Sequence, residues 1–461
     1  MCMCSAADGY VFRKTTTKCF AVLFAMLSVC AFAACGDFFS DLMSTSSSSK
    51  STGGGLSAGS SESADGGNSS VSQIDGNMTA GLYLGEPPAN NDFTGWTGTP
   101  ITSVEANDLK GAVDYIKGNA NAGMYTLLIS QNIRAGEQAL SDNADNARMT
   151  IIGLGGERII GFSDEAISEY KDMYFFHQSL FTVWAPGAEL VLGNNITLQG
   201  VQEAEWAIGA IVKVADGRFT MLPGSKITGH TTANGGYAGA GAGSYGVVHV
   251  SPYDEDDFAE FFMRGGVITG NKTADITPSM GGCVYVRDGV FVMRGGRIYN
   301  NTSEYNGGSP ADVLLRGGSM FILSGNAQAG SVISVYEKRN NEEYSPAITF
   351  TEALGSNASA TLHLTGIGGY YDGSEYVDET VDVTWLNYKW VYAARVIDGE
   401  DYTPTADDYA KITLGQFRPE VGMTTEMFGV YEIGTPDYGE LAGCIRWLGG
   451  GMAPKFAPRV R

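Results

Sequence analysis

The feature that most constrains this chain is a motif that returns after 30 residues. Phe261-Phe262-Met263-Arg264-Gly265-Gly266-Val267-Ile268-Thr269-Gly270-Asn271 is followed by Phe291-Val292-Met293-Arg294-Gly295-Gly296-Arg297-Ile298-Tyr299-Asn300-Asn301. A looser copy runs from Phe219-Thr220-Met221 through Gly224 to Ile227-Thr228-Gly229. Others pair Phe181 to Trp184 with Leu190 to Leu192, and Val313 to Leu315 with Met320 to Leu323. Apolar segments precede several copies: Ile211 to Val214, Val247 to Val250, and Val284 to Val286. Repetition at this period is read before any local propensity. Three short strands per repeat cannot close a core alone, but stacked repeats share one interior. The spacing predicts an all-β parallel β-helix, its repeats separated by about one strand spacing of 4.8 Å. A propeller blade would need about four antiparallel strands per repeat, which the spacing does not supply. Glycine pairs suit the positive-φ corners, and Asn195, Asn271, Asn301 and Asn326 are expected at equivalent corners, stacked as a ladder.

The rest of the chain divides around this repeat. Arg13, Lys14 and Lys18 precede an apolar stretch from Cys19 to Ala34, which reads as a secretory signal peptide over 1–34 and is too short for a membrane span. Residues 35–80, rich in Ser and Gly, read as a disordered tether, because such a composition cannot bury enough apolar surface to fold. Residues 81–148 are expected to cap the first repeat. They include a helix with Thr102-Ser103-Val104-Glu105 as its capping box and Leu109, Ala112, Val113 and Ile116 on one face up to Gly118. The repeats are placed at 149–368. An aromatic-rich β segment at 369–451 is either a C-terminal cap or a small domain, and 452–461 form a tail.

Phe32-Ala33-Ala34-Cys35 resembles the lipobox of bacterial lipoproteins, with Leu27-Ser28-Val29-Cys30 as the alternative. The resemblance implies that Cys35, or else Cys30, becomes lipidated. Met149 to Ile160, Leu190 to Leu198, the two Phe-x-Met-Arg-Gly-Gly-x-Ile units and Ala311 to Leu315 look like the right-handed parallel β-helix repeats of bacterial surface lipoproteins. The likeness covers about residues 100 to 365. It implies that fold and a setting in the cell envelope, on the outer membrane or cell surface, and it brings no catalytic residues with it.

Composition narrows the partners. The 29 Lys plus Arg against 51 Asp plus Glu give a net charge of −22. That balance argues against a nucleic-acid partner, which needs a basic face to release counterions, and disfavours acidic polymers in general. No cofactor is expected. Of the seven cysteines, four precede Cys35. Cys283 and Cys444 remain, and their spacing implies two separate buried thiols more readily than a disulfide.

Several groups invite a chemical reading. Asp254, Glu255, Asp256 and Asp257, with Glu260, form a candidate calcium loop, although the run lacks the spaced EF-hand pattern and also fits a solvated acidic turn. Tyr370, Tyr371, Trp385, Tyr388 and Trp390 form a candidate ligand platform, or else the apolar face of a capping strand. Asp216 and Asp288, and likewise Arg264 and Arg294, recur in equivalent turns, where turn chemistry explains them without catalysis. Gly241-Ala242-Gly243-Ser244-Tyr245-Gly246 matches a dinucleotide fingerprint but precedes a strand rather than a helix. Gly55-Leu56-Ser57-Ala58-Gly59 matches a nucleophile elbow without its strand and helix. His177, His230, His249 and His363 show no ligand spacing. The functional expectation is a non-enzymatic, lipid-anchored scaffold that binds a glycan or protein. A polysaccharide lyase or glycoside hydrolase of the β-helix class, and a purely structural envelope protein, are the alternatives.

Overall fold

The computed structural model describes residues 78–415 apart from 89–92, 120–122, 172–178, 203–208, 233–245, 255, 274–281, 304–308, 340–341, 345, 369, 373–374, 378–389, 392–394 and 398–401, and also describes the strands Val430–Ile433 and Ile445–Gly449. The chain is mainly β, and its strands pair mostly in parallel.

Three parallel ladders organise the described strands. The first passes from Met124–Ile129 through Arg148–Gly153 and the second half of Phe181–Leu192 to Val212–Met221, Ala259–Met263, Val290–Met293 and Met320–Gly325, then to Ala347–Leu354 and Arg395–Ile397. The second joins Ile133–Ala135, Arg158–Phe162, Ile196–Gln199, Ser225–Thr228, Val267–Thr269 and Arg297–Tyr299. The third joins Gln138–Ser141 to the first halves of Phe181–Leu192 and Val212–Met221, then to Val248–Val250, Val284–Arg287 and Val313–Arg316. The first ladder begins at Met124, and the second continues from Arg297–Tyr299 through Gln328–Arg339 and Ser359–Gly368 to Ile412–Leu414.

The period-2 alternation of a strand sends every second side chain to one core. Leu190, Phe219, Phe261, Phe291, Phe321 and Ile348 follow one another in register on the first ladder, all buried. On the second, Ile160, Leu198, Ile227, Ile268 and Ile298 do the same, as do Val212, Val248, Val284 and Val313 on the third. Each such side chain contributes about 1.5–3 kcal/mol by leaving water. Because the backbone ladder sets the spacing, the phenylalanine rings stack at centroid distances of 5.1, 4.7 and 4.8 Å from Phe219 to Phe321.

A second buried column is polar. A short strand set, Thr231–Thr232, Lys272–Thr273 and Thr302–Ser303, places His230, Asn271 and Asn301 at equivalent positions. Asn271 Oδ1 accepts from the His230 amide at 3.1 Å, Asn301 Oδ1 from the Asn271 amide at 3.1 Å, and Asp312 Oδ1 from the Asn301 amide at 3.1 Å. The Asn271 side-chain amide also donates to Asn301 Oδ1 at 2.9 Å, and that of Asn301 to Asp312 Oδ1 at 2.8 Å. Asp312 closes the column by accepting the Ser331 amide at 2.8 Å through its other oxygen. The asparagine ladder is therefore two residues long, flanked by His230 and Asp312. Asn195 lies elsewhere, at a corner with φ of 62° that bonds to Gly153. Gly270 and Asn300, with φ of 67° and 56°, make the turn just before the column residues.

His230 is completely buried and held neutral. Its Nδ1 accepts the Val201 amide at 3.2 Å, so Nε2 carries the proton toward the Gly209 carbonyl at 2.9 Å. Burial lowers its pKa to about 4, against the small opposing pull of the Gly209 carbonyl. Cys283 is a free buried thiol whose pKa burial pushes well up, which makes it inert. Cys444 lies outside the described residues.

The helix expected near residue 109 spans Leu109–Gly118 and buries Leu109, Ala112, Val113 and Ile116. Its cap is Asp108, whose Oδ1 accepts the Gly111 amide at 2.8 Å, and not the Thr102 box. Further helices occupy Asp164–Lys171, where the Ser163 hydroxyl accepts the Ala166 amide, and Ala406–Ala410, whose Thr405 and Asp408 form a capping box. The described residues contain no helix long and apolar enough to cross a membrane.

Candidate functional site

The outward positions of the first ladder carry charge. Arg148, Glu189, Arg218 and Glu260 follow one another in register, so opposite signs meet on adjacent strands. Arg148 Nη1 lies 2.5 Å from Glu86 Oε1, while its Nε approaches Glu189 Oε2 at 3.3 Å without the alignment of a hydrogen bond. Glu189 also accepts the Thr220 hydroxyl at 2.6 Å. Arg218 donates to Glu260 through Nε at 2.7 Å and through Nη2, and its guanidinium lies 4.4 Å over the Phe262 ring. Burial raises the Glu260 pKa, with Arg218 opposing. Both carboxylates are therefore engaged, one by a double arginine contact and the other by arginine and threonine. Neither is set up as a lone acid or base facing solvent.

Two arginines on the same face differ. Arg264 and Arg294 directly follow the paired positions Met263 and Met293, so they stand just past the ends of neighbouring strands. Both are exposed, and neither has a carboxylate within ion-pair distance among the described residues. Partial burial lowers the Arg264 pKa; Glu189 opposes this, and repulsion from Arg294, Arg148 and Arg218 adds to it.

Where the third ladder turns into the first, an aromatic corner forms. Trp184 is 49% exposed and Tyr253 is 67% exposed, and their rings meet at 5.4 Å with a 34° tilt. The Lys213 ammonium sits 5.9 Å from the Tyr253 ring, and burial lowers its pKa against the attraction of Glu137. Phe258, also exposed at 58%, ends the same loop. Asp216 anchors that loop: it pairs in register with Trp184, and its Oδ1 accepts the Phe258 amide at 3.2 Å. Asp288 braces its corner alike, accepting the Gly318 amide at 2.7 Å. Trp184 and Tyr253 lie 69 positions apart in the chain. Their meeting depends on register and escapes sequence inspection; the usable signal is a tryptophan at the strand end, opposite the apolar positions.

The expected sites fall differently. Asp254, Asp256 and Asp257 lie in a tight turn in which Asp257 Oδ2 accepts the Asp254 amide at 3.0 Å, while Glu255 lies outside the described residues. No group of three or more metal-ligating side chains occurs among the described residues. Tyr370 and Tyr371 lie on the strand Tyr370–Asp372, paired antiparallel with Glu375–Val377, and Trp390 lies on a two-residue strand opposite Arg446. Trp385, Tyr388, Cys30, Cys35, His177 and residues 241–245 lie outside the described residues. His249 stacks on Tyr285 at 4.9 Å.

Comparison with protein-family models, with curated proteins and with solved structures finds no match to this chain.

Proposed function

We propose that this chain is an exported scaffold, lipid-anchored through Cys35, whose three ladders are the sides of a right-handed parallel β-helix and whose ligand contact is the Trp184–Tyr253 corner. One observation carries the reading: Trp184 on the strand Phe181–Leu192 and Tyr253 on the loop before Ala259–Met263 pack ring against ring while remaining 49% and 67% exposed. Exposed aromatic rings offer large apolar area for stacking, a basis for engaging a sugar face or a protein anchor. The paired state of Glu189 and Glu260 favours binding over hydrolysis, because paired-carboxylate chemistry needs one acid and one base placed across the scissile bond.

The test passes a panel of polysaccharides and matrix proteins over the immobilised full chain, scoring retention and newly formed chain ends together. Retention without new ends, lost in Trp184→Ala and Tyr253→Ala, supports the scaffold. New chain ends overturn it in favour of a glycan-active enzyme, and retention of nothing on the panel removes the binding role. Anchoring is checked separately: Cys35→Ser should move the protein from the membrane to the soluble fraction, and continued membrane association would overturn lipidation there.

A further inference from the structure

The two arginines that lack carboxylate partners narrow the ligand. In this chain of net charge −22, Arg148 and Arg218 on this face pair with carboxylates, whereas Arg264 and Arg294 stand side by side, exposed and without an ion pair among the described residues. Parallel pairing holds their backbones about 4.8 Å apart. Two guanidinium forks at that spacing match a carboxylate or sulfate group bidentately, which a lysine pair would not. Glu189 attracts Arg264 while Arg294 repels it, and an anion between the two guanidiniums would relieve that repulsion. The net negative charge does not prevent this, since charges farther than about 8 Å are largely screened at physiological ionic strength.

The strand Ala259–Met263 links the aromatic corner to this pair. From Phe258 to Arg264 the strip extends about 20 Å at roughly 3.4 Å per residue. Along it lie the exposed Phe258 ring, the Glu260–Arg218 pair over Phe262, and Arg264. The backbone of this strand is hydrogen-bonded to neighbours on both sides, to Val212–Met221 and to Val290–Met293. A peptide therefore cannot be added as a further strand here, because no edge is open. A linear polymer with apolar faces for the rings and spaced anions for the arginines fits instead. Nucleic acid fits poorly, as its phosphates demand a dense basic stripe and Glu86, Glu189 and Glu260 share this face.

We propose that the ligand of this scaffold is an acidic polysaccharide, a uronate-bearing or sulfated glycan, whose anionic group is held between Arg264 and Arg294. The inference rests on the binding reading above. It is tested with the full chain in detergent, immobilised and exposed to polygalacturonate, chondroitin sulfate, neutral dextran and a single-stranded oligonucleotide. Retention of an acidic glycan over dextran is expected. It should fall about tenfold in the Arg264→Gln/Arg294→Gln double variant, be partly restored in Arg264→Lys/Arg294→Lys, and decline as salt rises. An unchanged thermal midpoint in both variants shows that the loss is not misfolding. Equal retention of dextran, insensitive to the double variant but lost in Trp184→Ala, overturns the acidic ligand while leaving the scaffold reading intact. Preference for the oligonucleotide also overturns it. Retention of none of the four polymers overturns the acidic ligand, and if Trp184→Ala then also leaves matrix-protein retention unchanged, the scaffold reading falls with it.

Discussion

Two buried columns run through the same stacked repeats and hold them by opposite means. The phenylalanine column from Phe219 to Phe321 is dry, and each ring fills space and touches the next. The column of His230, Asn271, Asn301 and Asp312 is polar, and each member satisfies a backbone amide of its neighbour. Apolar filling is non-directional: it stabilises by area removed from water and tolerates side chains of similar volume. The polar column is directional, since a missing acceptor strands a buried donor. The difference assigns stability mainly to the first column and exact repeat alignment to the second. It also explains why Phe261, Phe291 and Phe321 recur unchanged, whereas the polar positions change from His to Asn to Asp as the neighbouring donors change.

The largest expected effect breaks the dry column. Phe291→Ala should cost about 3–5 kcal/mol of stability, since it removes a ring stacked on both faces and leaves a cavity. A loss below 1 kcal/mol in chemical denaturation would show that the core collapses around the gap. The next effect exploits pH. Because the folded pKa of His230 is depressed, to about 4 from 6.5, the unfolded chain binds the extra proton. Stability should be intact above pH 6.5, fall as pH drops toward 4, and level off below, by up to about 3 kcal/mol. His230→Asn, which installs the residue of the next two repeats, should flatten that limb. An unaltered slope would assign the acid sensitivity to other groups. The smallest effect sharpens the polar column: Asp312→Asn keeps one acceptor but faces the Ser331 amide with a donor, for a cost of about 1–3 kcal/mol. Loss of protection at the Ser331 amide in hydrogen exchange, with the Asn271 amide unchanged, would place the damage at the column's end. Equal loss at both would show that the column opens as one unit.

Much of the β architecture was legible. The Phe-x-Met-Arg-Gly-Gly-x-Ile units predicted stacked strands from Phe261 and from Phe291, and the strands Ala259–Met263 and Val290–Met293 pair in parallel with Phe261 opposite Phe291. The helical face of Leu109, Ala112, Val113 and Ile116 was readable too, while its cap was misplaced because Thr102-Ser103-Val104-Glu105 imitates a capping box and Asp108 lies closer to the first helical turn. The helix at Asp164–Lys171 was missed, although Ser163 followed by Asp164 and Glu165 is a usable start signal. The candidate face was far less legible. The aromatics of 369–451 are dense in the sequence, whereas Trp184 and Tyr253 are isolated there and meet through register alone.

What the sequence by itself determined is the repeat, hence parallel strands with one apolar row per ladder, because period-2 alternation and fixed corner glycines admit no other burial. It also determined the acidic balance. What only the tertiary structure decided is which outward residues become neighbours. Stacking brings positions some 30 residues apart to within one strand spacing, so it alone joins Arg218 to Glu260, leaves Arg264 beside Arg294, and sets Trp184 against Tyr253. Such contacts depend on register and on insertions of unequal length between repeats, and side-chain identity read along the chain carries neither.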